Sequence, residues 1–170
     1  MPILKDTTLE SNKYLKINFD GGDLSSDAGL LLIKEFACKL GFVKLLKSEF
    51  KTNDTASFRY HKDDENLWQV IYQILGAYFE DDCADELTKD PILTAILVKK
   101  ALASQPTLSR FFNRMDEDSL NQFYTLMRRF RKVVYSIKKP EIILLDLDST
   151  LLNTYGHQEG EGFNFHYQSH

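Results

Sequence analysis

The sequence predicts an α+β protein: a mostly helical region over residues 21–138, preceded by a short N-terminal strand or arm over 1–20 and followed by a β-hairpin within 139–170. Three observations lead there. Apolar residues recur at helical spacing in several segments between residues 28 and 134. Residues 13–20 and 163–170 instead alternate apolar and polar, as half-buried strands do. Between them, residues 141–150 form an apolar run, rich in β-branched and bulky side chains, that ends in two carboxylates, Asp146 and Asp148.

The alternating stretch at 13–20 reads as a strand before the Gly21-Gly22 turn. Ser25 or Ser26 then caps a helix from Ala28 to Leu40, closed by Gly41, and Phe42 to Leu46 add another turn or two. Residues 53–65 are polar and read as a loop, after which 67–75 resume helical spacing up to Gly76, with Trp68 and Tyr72 as core residues. The acids of 80–86 lack the glycine and the register of a calcium loop, so Asp82 or Asp85 reads as a helix cap. Asp90-Pro91 is an N-cap followed by proline at the first helical position, opening a helix through Leu102 that Gln105-Pro106-Thr107 breaks.

Residues 107–114 form a short helix that offers Ser109, Arg110, Asn113 and Arg114 to phosphates. Asp118 or Ser119 caps the next and longest helix, in which Leu120, Phe123, Tyr124, Met127, Phe130 and Val134 recur at helical spacing. Arg128, Arg129 and Lys132 gather on its opposite face. A basic stripe of this kind, just before an acid-ended strand, suits a DNA backbone held beside a metal site.

At 170 residues, 43% apolar and 12% aromatic, the chain has enough apolar side chain for one good core or two small ones. No segment has the length and apolarity of a membrane span and the start lacks a signal-peptide pattern, so a cytoplasmic location is expected. Cys38 and Cys83 are isolated in apolar or acidic surroundings and read as buried free thiols. The net charge of -4 is unevenly spread. Residues 101–139 carry eight cations, including Arg131, Lys138 and Lys139, against three anions, whereas 140–170 carry five anions and no Lys or Arg. A local excess of five positive charges is enough to bind phosphate on an acidic protein.

Residues 142–147 read as a buried strand, and period-two alternation puts Asp146 and Asp148 on one face. Buried carboxylates need a cation or donors, and magnesium (or manganese) uses one or two carboxylates with waters and phosphate oxygens. After the strand, 153–162 is a glycine-punctuated turn leading into the alternating 163–170, an antiparallel hairpin. His166 and His170 share a face of that second strand, two ligands where zinc needs three or four.

Several short motifs then fall in a specific order: Phe19-Asp-Gly-Gly, Ser26-Asp-Ala-Gly-Leu30, Gly76 with Glu80-Asp-Asp82 and Ala84-Asp-Glu-Leu87, Asp90-Pro91, Ala103-Ser-Gln-Pro-Thr-Leu-Ser-Arg-Phe111, Asp146-Leu-Asp-Ser-Thr150 and Tyr155-Gly-His-Gln-Glu-Gly160. In this order and spacing the chain resembles bacterial insertion-sequence transposases of the DDE type, from about Phe19 to His170. The resemblance implies a ribonuclease-H-like catalytic core in which three acids hold two divalent metals for DNA strand cleavage and strand transfer. It makes Asp148 the first of those acids and a metal ligand, with Asp146 as its neighbour and a further catalytic candidate. It implies double-stranded DNA, the transposon ends, as partner and a homo-oligomeric complete enzyme; the cations Arg110, Arg114, Arg128, Arg129, Arg131 and Lys132, read from charge and helical spacing, are the candidate DNA contacts. The second Asp and the final Glu of such a core come from segments beyond the hairpin. The expectation is therefore an N-terminal fragment, its catalytic core incomplete, that does not cleave DNA alone.

Two other readings use the same residues. Asp146-x-Asp148-x-Thr150 also fits the signature of haloacid-dehalogenase-like phosphatases, with Asp146 as nucleophile and Asp148 as general acid and base. In that case the strand ends at Asp146 and a helix follows Asp148. A non-catalytic regulator that binds transposon ends needs only the helical region.

Overall fold

The computed structural model describes residues 6–21, 25–148 and 159–168. The chain divides into two compact units, Met1–Ile137 and Lys138–His170.

In the first unit Thr7–Thr8 (β1) and Lys16–Ile17 (β2) pair antiparallel, Thr7 opposite Ile17 and Thr8 opposite Lys16. Only the middle of the alternating stretch joins this ladder. The Leu9 N–H extends it by donating to the Leu15 carbonyl at 3.2 Å, and Leu9 is buried in the core with Leu15 and Ile17 packed against it.

Gly29–Lys39 (α1) and Phe42–Glu49 (α2) follow, separated by Gly41, whose φ of 74° is the left-handed conformation that lets one helix end and the next begin. Neither serine caps α1. Its N-cap is Ala28, while the Ser25 hydroxyl accepts the Asp27 N–H at 3.2 Å, a local turn that spends the oxygen before the helix starts. Asp63–Leu75 (α3) starts four residues before the apolar pattern resumes. Its first turn holds Asp63, Asp64 and Glu65, where carboxylates meet exposed N–H groups, and the Glu65 carboxylate accepts the Lys62 N–H at 3.0 Å. The helix closes at Gly76, where a Cβ would lie 2.9 Å from the Tyr78 ring.

Cys83–Glu86 (α4) runs into a 3₁₀ turn at Leu87–Lys89. Pro91–Leu97 (α5) opens as its Asp-Pro start predicts, with the Asp90 carboxylate accepting the Leu93 N–H at 2.7 Å. It stops well short of Leu102. Val98 turns left-handed at φ 54°, and the Leu102 N–H donates to the Thr88 carbonyl at 2.9 Å instead of continuing the helix. Gln105–Phe112 (α6) then begins where a break is expected, because Pro106 sits in the first turn, where no N–H is needed. Asp85 accepts the Gln105 N–H at 2.8 Å, so it caps α6 and not its own helix, and Asp82 makes no cap bond. Glu117–Ile137 (α7), 21 residues long, is capped by Asp116, which takes the N–H and the hydroxyl of Ser119 at 3.0 and 3.1 Å, while the Ser119 oxygen accepts the Asp116 N–H at 3.3 Å in return; Asp116, and not Asp118 or Ser119, is the N-cap.

Helix α3 packs against α5 and α6, α1 against α2 and α5, and α2 against α7. Trp68 and Tyr72 stack at 5.5 Å within the core, as their spacing predicts. Phe50, just after α2, meets Phe111 of α6 and Phe123 of α7 with ring centroids 6.1 and 5.0 Å away. Each such buried aromatic is worth about 1.5–3 kcal/mol. Cys38 and Cys83 are free thiols, each half-buried. Among the described residues no helix is long and apolar enough to cross a membrane.

In the second unit the expected strand is not formed. Residues 142–148 have no strand pairing, and Ile142, Ile143, Leu144, Leu145 and Leu147 are 63% to 92% exposed. A central strand needs a hydrogen-bonding neighbour and apolar cover on its faces, and among the described residues of this unit only Asn164 makes a bridge. The second strand of the hairpin is absent over its described part as well. The Asn164 side chain accepts the N–H groups of His166 and Tyr167 at 3.0 and 3.4 Å, folding 165–168 into a turn. Residues 149–158, with most of the glycine-punctuated turn, and His170 lie outside the described residues.

One buried contact ties the helices together. Gln69 of α3, 2% exposed, donates its amide to the Ala103 carbonyl at 2.7 Å and accepts the Ala103 N–H at 2.8 Å. Gln69→Leu strands both backbone groups and is expected to lower the free energy of unfolding by about 2–4 kcal/mol, read from urea denaturation at unchanged m. A loss of less than about 0.5 kcal/mol would mean that Ala103 finds other partners.

Candidate nucleic-acid interface and acidic segment

The six cations expected at a DNA backbone divide into two sets. Arg114 closes α6, and its guanidinium turns inward: it bonds Asp63 at 3.1 Å, the Thr52 hydroxyl at 3.3 Å and the Arg110 carbonyl at 3.1 Å, and lies 3.5 Å from Asp54. Arg129 pairs with Glu49 of α2 at 3.0 Å. Arg110, Arg128, Arg131 and Lys132 are exposed and make no ion pair among the described residues. Arg110 and Arg128 are steadied by threonine hydroxyls one turn back, Thr107 at 3.3 Å and Thr125 at 3.4 Å.

On α7 the segregation follows from helical periodicity. Phe123, Leu126 and Phe130 pack into the core, and Arg128, Arg129 and Lys132 fall away from it. Lys132 stands one turn beyond Arg128, so the two present their charges side by side.

The cluster around Arg114 carries no periodic signal in the sequence, because its acids lie in a polar loop. The Asp63 carboxylate also accepts the N–H and hydroxyl of Thr52 at 2.8 and 2.7 Å. Asp54 takes two bonds from Arg59, at 2.8 and 3.0 Å, and the Ala56 N–H at 3.0 Å. The Arg59 bonds hold the Asp54 carboxyl well below the usual carboxylate range, helped by the Ala56 N–H and by Arg114. Together these bonds close the loop between α2 and α3 over the end of α6. They also withdraw Arg114 from solvent.

Asp146 and Asp148 are both exposed, two residues apart on the segment without strand pairing. The described residues contain no group of three His, Cys, Asp or Glu that could hold a metal ion, and His166 is an exposed turn residue. A separate cleft of about 390 Å³ opens between α3, the 77–81 loop and α6. Its lining includes Ile74, Phe79, Glu80, Asp81 and Phe112 and no Lys or Arg, so it repels phosphate.

A carboxyl group whose folded pKa lies below its unfolded one stabilises the fold fully above the unfolded value, and that stabilisation is lost as the pH falls toward the folded one. Asp54→Asn is therefore expected to flatten the acid limb of stability. Between about pH 6 and pH 3 its urea midpoint falls less than that of the unaltered chain, and equal falls would remove Asp54 as a source of acid lability.

Comparison with known proteins bears on what this arrangement serves. A family model described as "Transposase DDE domain group 1" matches residues 7–170. No curated protein and no solved structure matches the chain. With nearly its whole length matched, the chain belongs to the group 1 DDE-domain transposases.

Proposed function

We propose that the helical region holds duplex DNA through the exposed cations of α6 and α7, and that Asp148 is the first metal-binding acid of a ribonuclease-H-like core that cuts and joins transposon ends. The observation that carries the DNA part is the sorting of cations. Arg110, Arg128, Arg131 and Lys132 point to solvent without an ion pair among the described residues, while the family match supplies the class of substrate. Arg114 and Arg129 take the lesser part, since each must first leave a carboxylate. The proposed division of labour is an arm over 1–20, DNA handling over 21–138 and the beginning of the catalytic domain over 139–170.

Magnesium or manganese fits the acidic segment in donor type, because Asp146 and Asp148 offer hard oxygen ligands. It does not fit in number, since two carboxylates alone leave most of the coordination sphere to waters, DNA phosphate oxygens and further acids. When bound, the ion stabilises charge at the scissile phosphate. Asp148 contributes charge and an anchoring oxygen, and Asp146 adds a second carboxylate beside it. The chain is then a DNA-binding protein with one of three catalytic acids. Residues 1–170 are expected to bind duplex DNA without nicking it, and nicking that is lost in Asp148→Asn would overturn that part of the reading.

Fluorescence anisotropy of a labelled duplex between about 50 and 200 mM salt tests the interface. Arg131→Ala and Lys132→Ala are each expected to weaken binding irrespective of DNA sequence and to reduce the salt slope by about one. Arg114→Met is expected to lower the melting temperature and to leave the slope unchanged. The absence of binding at about 50 mM salt, or slopes insensitive to Arg131 and Lys132, would sink the assignment.

A further inference from the structure

The cleft between α3, the 77–81 loop and α6 has no part in the DNA assignment, and its walls are fixed by their own bonds. Helix α3 stops at Gly76, and Ala77 takes the left-handed conformation at φ 64°, which turns the chain back past the helix end. The Ala77 and Tyr78 N–H groups close on the Ile74 and Gln73 carbonyls at 3.1 and 2.8 Å, and the Tyr78 hydroxyl donates to Asp27 at 2.8 Å. Ile74, Phe79 and Phe112 line the cleft at 46% to 72% exposure, together with Glu80 and Asp81 and without a Lys or Arg. The carbonyl end of α3 adds to the negative field of the two carboxylates.

Gln73 is the part of this lining that the fold does not use. It is only 6% exposed, and its side-chain amide has no hydrogen-bond partner among the described residues. A buried amide left in that state is costly. One turn earlier on the same helix, Gln69 meets the need by donating to the carbonyl of Ala103 and accepting its N–H. Gln73 offers the same donor and acceptor to a backbone that no described residue supplies.

We propose that the cleft binds a short peptide segment of another protein, in which an apolar residue is flanked by lysine or arginine. The N–H and carbonyl of one residue pair with the Gln73 amide as Ala103 pairs with Gln69. The apolar side chain seats among Ile74, Phe79 and Phe112, and the flanking cations meet Glu80 and Asp81. Charge selects against acidic segments, and the Gln73 amide selects a peptide over a simple apolar amine. A cleft of about 390 Å³ stands at the small end of ligand sites, so two or three residues fill it and the Kd is on the order of 1 mM.

Titration of the isotope-labelled 170-residue chain with acetyl-Lys-Leu-Lys-amide, up to about 5 mM, is expected to shift the Gln73 side-chain amide resonances and the backbone signals of Phe79 and Phe112. Acetyl-Lys-Ser-Lys-amide lacks the apolar anchor and pentylamine lacks a backbone, so each is expected to bind about fivefold more weakly or worse. Gln73→Leu is expected to weaken the leucine peptide by about fivefold. Glu80→Gln with Asp81→Asn, at exposed positions, gives a second reading should Gln73→Leu perturb folding: weaker binding that no longer falls with added salt. No shift at these residues by about 5 mM, or binding unchanged in the variants, overturns the site. Equal binding of the serine peptide reduces it to an acidic surface and equal binding of pentylamine to an amine site, and either result overturns the peptide assignment. Shifts of the same signals with chain concentration alone would give the cleft to a second copy and overturn the proposal likewise.

Discussion

Burying an amide without partners costs more than burying a methyl group, yet α3 carries Gln69 into the interior, where it meets the backbone of Ala103 with both its donor and its acceptor. That pairing settles where the chain must be after it leaves α5. The Leu102 N–H is taken by Thr88 and the Gln105 N–H by Asp85, so three of the residues 102–105 are held by three different elements as α6 begins. The direction of α6 follows. Arg110 then faces solvent and Arg114 turns onto the loop between α2 and α3.

Net acidity and the proposed DNA-handling role are compatible because the anions and cations are partitioned by structure and not only by sequence. Many acids of the first unit are consumed locally: Asp90 and Asp116 as caps, Asp54 and Asp63 around Arg114, Glu49 against Arg129. Arg110, Arg128, Arg131 and Lys132 of α6 and α7 are among the cations without an ion pair within the described residues, as are lysines elsewhere such as Lys44, Lys47 and Lys51. Surface charge of this kind adds little to stability, which leaves it available to an external phosphate.

Local signals with a single physical cause were legible in the sequence. Asp90-Pro91 starts a helix, Trp68 and Tyr72 lie in the core, and α7 is the longest helix, because capping, apolar burial and periodicity each act over a few residues. The failures share another cause. Ser25, Asp85 and Asp116 are ordinary capping residues whose choice of acceptor or donor depends on where the chain goes next, and Arg114 looked like a free cation because its acids are more than fifty residues away. In the acidic segment the composition of a strand is present, but a strand is a property of its neighbours. Residues 142–148 have the propensity and lack the pairing.

That segment without strand pairing has a consequence for how the protein behaves in solution. Four consecutive apolar residues, Ile142 to Leu145, are exposed and without strand pairing, and an apolar run of this kind has the composition of a segment prone to cross-β association. Lys138, Lys139 and Pro140 precede it, Glu141 adjoins it, and Asp146 and Asp148 interrupt its far end. Charges placed at the ends of such a segment oppose its pairing with another chain, the part that gatekeeper residues play beside an apolar strand.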